Sequence, residues 1–312
     1  MKRLLTVGLV ALSTSLLAQD TSDIEAVRRT VNLSEVVIRS NLNVPKFLRQ
    51  IRYDTSYYKS FKNLRVLAFT SLNYIEMRNK KDKPVASLQS KTRQNREAGC
   101  RMMEVLEERT TGDFYDRIGG YNYYTAQLYS SLFFTKGKVC GETGIVKGSD
   151  LNASRKKGLE RSKEQLKMLF FNPGKKIPGI PFIGDKLDVF DTELTRLYNY
   201  SIDTSFLNGQ ACYVFRIQRK DDLTAGERDA IVFDGITTWF NQKTLTIVGR
   251  EYDMSYKAGV YDFDVHMQVE MQQLGELTVP HLLRYSGNWH LLFKGRERGI
   301  FTATLFDFRK GD

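Results

Sequence analysis

Residues 263–285 read FDVHMQVEMQQLGELTVPHLLRY. Val265, Met267, Val269 and Met271 alternate with Asp264, His266, Gln268 and Glu270, so an extended chain carries an apolar row on one side and a polar row on the other. A helix would scatter the two sets around its circumference. Residues 263–273 therefore read as a strand with one buried and one wet face, and residues 277–285 as its neighbour across a short turn. The pattern continues on both sides, with further strands predicted at 289–294 and 300–308. Upstream, 230–240 and 245–256 flank NQKT, while 197–204 and 211–219 flank Asn208-Gly209, a pair that tolerates positive φ at both turn positions. Eight strands joined by short turns make an antiparallel meander. The alternation groups Ile231, Phe233 and Trp239, and separately Val248, Tyr252, Met254 and Tyr256. Such a face is either packed core or the wall of a lipid-sized cavity.

The N-terminal half is more mixed. Residues 24–41 have a helical pattern carried by Val27, Val31, Val36 and Val37, with Pro45 closing it. IRYDTSYYKSF (51–61) and NLRVLAFTSLNYIEMR (63–78) are rich in aromatic and β-branched residues and read as extended. The turn at 79–84 joins the second run to VASLQSKT (85–92) as a long hairpin. Charged residues 97–109 are compatible with a helix. Residues 121–134 are dense in aromatics: Tyr121, Tyr123, Tyr124, Tyr129, Phe133 and Phe134. A basic amphipathic helix is expected over 151–171, followed by NPGKKIPGIPFIGDK (172–186), a loop with three prolines. That pair either meets a membrane interface, gates a cavity or packs as a crossover.

The first eighteen residues, MKRLLTVGLVALSTSLLA, combine two positive charges, an apolar stretch and small residues before Gln19. This is the layout of a signal peptide cut after Ala18, and its apolar part is shorter than the roughly 20 residues a membrane span needs. The expected location is the periplasm or the periplasmic face of the outer membrane. The chain has 312 residues, 41% hydrophobic and 12% aromatic, enough for a folded core. Lys and Arg number 47 against 36 Asp and Glu, a net +11; without Lys2 and Arg3 the balance is 45 against 36, or +9. Outside the cytoplasm such a surplus suits an anionic membrane surface, or is ordinary solubilising charge; nucleic acid is not an expected partner.

Chemistry-bearing motifs are sparse. Cys100, Cys140 and Cys212 are widely spaced, without CxxC, leaving one disulfide and one thiol as an option. The sequence has no HExxH, GxSxG or GxGxxG, and its two SxxK matches lack the partners of a serine acyl enzyme. His266, His281 and His290 fall on neighbouring predicted strands near Asp264, but without metal-ligand spacing. The acidic residues Asp262, Asp264, Glu270 and Glu276 read as the wet face of strands rather than a glycosidase pair. Neither a catalytic residue, a metal nor a cofactor is expected.

DGITTWFNQKTLTIVGREYDM (234–254) places Trp239 at the end of one strand and Arg250 and Tyr252 in the next, and it resembles the hairpin of the LolA-like and LolB-like lipoprotein-carrier superfamily. Residues 261–289 and 296–308 look like later strands of the same half-barrel, and 34–61 resembles its helix-then-strand entry. The resemblance implies a curved antiparallel sheet covered by helices, an α+β fold, with acyl chains held between sheet and lid. The chain is longer than the small carriers and lacks a lipid-attachment cysteine, so acyl-chain binding transfers better than lipoprotein shuttling. The expected organisation is a leader (1–18), a helical segment (19–46), the first part of the sheet (47–150), a helix and loop (151–190) and a meander completing the same domain (191–312). The expected function is non-enzymatic binding of a lipid or acyl chain, with Trp239, Tyr252, Met254, Met267 and Phe182 at the ligand and envelope proteins as further partners. The alternatives are a fully packed structural or protein-interaction component of the envelope and, third, an unusual hydrolase.

Overall fold

The structure, a computed structural model, describes residues 15–147, 165, 168–178, 180, 182–258, 261–291 and 295–311. Its strands form one open sheet in the order β1 (Val31–Leu33), β6 (Tyr198–Leu207), β7 (Gln210–Arg219), β8 (Phe233–Asn241), β9 (Ile247–Ala258), β10 (Tyr261–Leu274), β11 (Leu277–Leu291), β12 (Gly295–Lys310), β2 (Leu67–Arg78), β3 (Pro84–Glu97), β4 (Cys100–Thr111) and β5 (Val139–Cys140). Only β1 pairs in parallel, with β6; the other pairings are antiparallel. This is the α+β class expected, a mostly antiparallel sheet with helices on one face.

Turn chemistry sets the register of the meander. Asn208 and Gly209 adopt φ of 50° and 72°, the left-handed pair of a two-residue hairpin joining β6 to β7. Gly275 (φ 58°) turns β10 into β11 with Leu274 opposite Leu277. Residues 289–291 do not start a separate strand but continue β11, and Trp289 pairs with Glu297 of β12; the rest of the strand expected over 289–294 lies outside the described residues. Among the described residues the C-terminal half thus holds seven strands, against the eight expected.

Three other expectations change. Residues 51–61 are not extended, because their apolar side chains recur at helical spacing. Phe47, Leu48 and Ile51 are the buried stripe of α3 (Val44–Tyr53), and Tyr57, Tyr58 and Phe61 that of α4 (Ser56–Asn63). Pro45 opens α3 instead of closing a helix, behind Asn43, whose side chain accepts the Lys46 amide. Residues 97–109 are not helix: Glu97 ends β3, a turn follows, and 100–109 belong to β4, held in register by pairs such as Lys91 opposite Glu107 and Arg93 opposite Glu104. Residues 24–41 are split between α1 (Ser15–Thr30), β1 and the one-turn α2 (Glu35–Ile38). The leader expected over 1–18 lies outside the described residues as far as position 14, as does most of the 151–171 helix; of the latter, residues 165 and 168–171 are helical, with Met168, Phe170 and Phe171 buried.

The helices cover one face. The Phe47 ring meets Phe240 at 5.1 Å and Tyr213 at 6.1 Å, pinning α3 over β7 and β8. α4 carries Tyr57 and Phe61, and Phe61 stacks on Phe171 at 4.0 Å. α5 (Tyr124–Phe133) sets Tyr129 4.6 Å from Phe301 of β12. Its first turn is capped from afar: Glu297 accepts the Tyr124 and Thr125 amides and the Thr125 hydroxyl.

Three cations sit beside α3 and α4, Arg250 buried and Arg52 and Lys175 partly buried. Arg52 pairs with Asp23 and Asp188. Arg250 lies 4.4 Å over the Tyr57 ring and donates to the Thr238 hydroxyl. The Lys175 ammonium donates to the Ile51 and Arg52 carbonyls at the end of α3. Burial, and then the positive charges of Arg250 and Arg52, push its pKa down from 10.5 to about 7.

Candidate functional site

Tyr252, Met254 and Met267 converge as the alternation requires, since Met267 faces Tyr252 across the β9–β10 pair and Met254 faces Val265 and Phe233. All three are fully buried within one continuous core, and the Tyr252 hydroxyl donates to the Phe170 carbonyl at 2.8 Å. Trp239 lies on the opposite face. A bulge between Phe233 and Gly235 shifts β8 by one residue, so Ile236, Thr238 and Phe240 point under the helices, and Trp239 sides with Val214 and Gly249. There the β6–β7 hairpin shelters it: the Leu207 side chain lies against Gly249, and Asn208 reaches Glu270 of β10. Phe182 joins neither group; it is 77% exposed in the proline-rich loop, at φ 65°.

Space beneath the helices exists instead at the other end of the sheet. The covered side of β2 and β3 presents Ser71, Asn73, Ser90, Thr92 and Gln94, all buried. They satisfy one another and their neighbours. Ser71 bonds Thr92 at 2.8 Å, the Asn73 amide donates to Ser90 and Thr92, and the Tyr129 hydroxyl donates to Asn73 at 2.7 Å. Gln94 donates to the Leu64 and Leu67 carbonyls and accepts from Thr135 and Arg101, using its whole amide.

Beside Gln94 lies a partly enclosed cavity of about 140 Å³. Six aromatic side chains line it: Tyr58, Phe61, Phe69, Phe133, Phe134 and Phe171. Lys62, Arg65 and Arg101 line it too, with Glu142 as the only carboxylate among its described lining residues. Glu142 bridges Arg65 and Arg101, one oxygen to each. It is held in place by the Cys100–Cys140 disulfide, which ties β5 to the start of β4 two residues earlier. Cys212 is the free thiol, buried on the other face, and burial raises its pKa.

Phe134 also walls a second, more open chamber of about 330 Å³. Its floor is Ser90, Thr92 and Val105, and its rim is Glu108, Tyr115, Tyr121 and Lys136. The 113–123 loop supplies the two tyrosines, 5.3 Å apart, with Phe114 packed edge-on beneath them. Asp116 accepts the Ile118 and Gly120 amides and holds the loop tight, leaving Ile118 93% exposed at its tip. The Tyr115 hydroxyl donates to Glu108; burial, then Tyr121 and Glu108, raises its pKa. The two chambers share Phe134 and follow the covered side of β3 and β4, aromatic above and polar below.

No site residue of this cleft was expected from sequence. The signals were present as the aromatic run 121–134 and as Ser90, Thr92 and Gln94 alternating on an otherwise strand-like segment. What joins them is the pairing of β3 with β2 and β4, which no local pattern prints.

No protein-family model matches the chain, and no curated protein is similar to it. Among solved structures it is similar to a DUF1329 family protein from Desulfovibrio piger, at 10% identity over 84% of this chain and 92% of that one, with a TM-score of 0.27. A putative outer membrane lipoprotein-sorting protein domain from Vibrio parahaemolyticus matches at 10% identity over 81% and 90%, TM-score 0.27. Lipovitellin, in a structure titled for its lipid–protein interactions, matches at 8% identity over 80% of this chain and 26% of its own, TM-score 0.28. Overlaps of this quality leave the function to be argued from the site.

Proposed function

We propose that this protein is an exported, non-enzymatic binder of an acidic amphiphile, such as a fatty acid or the acyl chain and headgroup of an envelope lipid. The observation that carries this reading is the cavity beside Gln94: six aromatic side chains against three cations, two of which, Arg65 and Arg101, share the Glu142 carboxylate. An acyl segment gains from apolar burial at roughly 0.8 kcal/mol per CH₂ against such rings. A carboxylate or phosphate head finds Arg65 and Arg101 already oriented by Glu142, which supplies bidentate, charge-assisted contacts without reorganisation. At about 140 Å³, close to the roughly 150 Å³ of an engineered cavity that takes up benzene, the chamber accepts the end of a chain, and the neighbouring one accepts what protrudes. In this reading the ligand leaves Tyr252, Met254 and Met267 untouched as core. The proposed location is the envelope outside the cytoplasm; no described helix is long and apolar enough to cross a membrane.

Native mass spectrometry with lipid extraction, on protein purified from its own source, is the test. Acidic amphiphiles should co-purify, and dodecanoate should rebind to delipidated protein. Arg65→Gln should weaken rebinding by about 10-fold or more, the value of one charge-assisted hydrogen bond, and Leu132→Trp should fill the chamber and abolish it. A clean apo mass with no dodecanoate uptake would overturn the reading. It would leave the packed structural component in front, which the filled interior around Tyr252 favours.

A further inference from the structure

On the outer face, away from the helices, β9 and β10 bring Glu251, Asp253 and His266 together so that one ligand atom from each lies within 4.8 Å of the other two. The strand register causes this. Asp253 is directly opposite His266, and Glu251 is two residues along the same face of β9. The Asp253 carboxylate is 2.7 Å from His266 Nδ1. Glu251 has no hydrogen bond or ion pair among the described residues, because the residue opposite it, Gln268, is engaged by Arg284. One imidazole and two carboxylates are thus held on adjacent strands of a rigid sheet, with one carboxylate unspent.

The geometry points to a divalent transition-metal site at Glu251, Asp253 and His266, of the N,O,O type that takes Zn²⁺ or Mn²⁺ with water in the remaining positions. An imidazole with carboxylates suits such ions better than Ca²⁺ or Mg²⁺, which prefer all-oxygen shells. With ligand bonds of about 2.0–2.2 Å neighbouring donors stand roughly 3–3.5 Å apart, so Asp253 and His266, now 2.7 Å apart, part slightly to admit the ion and Glu251 draws in. That is a matter of side-chain rotation at a half-exposed surface, without backbone change. The donors also answer a local need: two acidic side chains lie on one side of a strand with a histidine and a glutamine opposite, and a divalent cation neutralises both. Because the ligands come from two strands, binding clamps β9 to β10, so the ion acts as a staple across the middle of the meander.

The site is independent of the amphiphile cleft, which lies on the covered face at the other end of the sheet. It is tested on untagged full-length protein freed of metal with a chelator, by calorimetric titration of Zn²⁺ alone and by the visible spectrum of added Co²⁺. One saturable site is expected, and it should raise the melting temperature. His266→Ala and Asp253→Asn should each weaken Zn²⁺ by about 10-fold or more, at least what loss of an outer-shell partner costs, and should remove the thermal shift. Glu251→Gln should have a smaller effect in the same direction. His281→Ala, beside Glu270 on the next strand pair, should change nothing. The inference is overturned by the absence of saturable binding, by binding that survives in both His266→Ala and Asp253→Asn, or by loss in His281→Ala.

Discussion

The covered face of the sheet has two ends built on the same alternating period. Along β8 to β11 the inward row is Phe233, Tyr252, Met254, Val265, Met267 and Tyr285, and all six are buried in one continuous core. Along β2 to β4 the inward row includes Ser71, Asn73, Ser90, Thr92 and Gln94, and two chambers remain. Side-chain chemistry, not strand geometry, decides which end of this face keeps open space. Flexible hydrocarbon such as Met fills whatever volume the lid leaves. Hydroxyls and amides that satisfy one another are fixed in direction, so they line space instead of filling it.

The largest effect is expected from a carboxylate placed in the filled end. Met267→Asp should cost more than about 4 kcal/mol in urea unfolding, because an unpaired charge lands in a closed apolar core. Thr92→Val at the polar end should cost only about 1–3 kcal/mol, the price of leaving Ser71 and Asn73 short of a partner. Similar losses at both sites would show that the two ends are packed alike.

Opening the Cys100–Cys140 disulfide comes next. It spans 40 residues, and a loop of that order corresponds to about 3–4 kcal/mol in the chain-entropy account. Cys140→Ser should lower stability by this amount and weaken dodecanoate binding, since Glu142 loses its anchor beside Arg65 and Arg101. Unchanged binding in the reduced protein would separate the disulfide from the cleft.

Lys175 gives the filled end a dependence on pH. Its pKa is about 7 in the folded chain against 10.5 unfolded, so between these values the unfolded state holds the extra proton and stability rises with pH. The charged form is disfavoured in the fold, so the destabilisation is complete below about pH 7 and gone above pH 10.5. Allowing for the partial exposure of the side chain, the rise should be on the order of 2 kcal/mol. Lys175→Met should flatten the curve over that window in thermal melts from pH 6 to 10; a parallel curve would show that other groups carry it.

The smallest effect should be Leu132→Trp. Added volume beside an existing chamber should change stability by less than about 1 kcal/mol, whereas Val265→Trp in the filled end should cost about 3 kcal/mol or more. Equal penalties would mean that the chamber is not available space.

Much of the meander was legible because period-two alternation and left-handed turn residues are local properties of the chain. The Asn208-Gly209 and Gly275 turns and the inward set Tyr252, Met254 and Met267 follow from them. Trp239 was not, because a single bulge at Phe233 and Gly235 reverses every residue after it, and a bulge leaves no mark in a pattern of alternating types. Residues 51–61 were misread for a different reason. Aromatic content suggested strand, while the spacing of Tyr57 and Phe61, four apart, carried the helix. Charge misled over 97–109, where Glu104 and Glu107 sit on an edge strand facing Arg93 and Lys91 instead of on a helix surface.

By itself, then, the sequence determined the antiparallel character of the C-terminal strands and the two-faced nature of β10, since both depend only on how neighbouring residues alternate. The tertiary structure alone decided that β2, β3 and β4 continue the same sheet beyond β12 and that Glu142 stands between Arg65 and Arg101. It also decided that Glu251 and Asp253 meet His266. Each of these depends on contacts between residues far apart in the chain, whose register is fixed by bulges, turns and helix packing acting together.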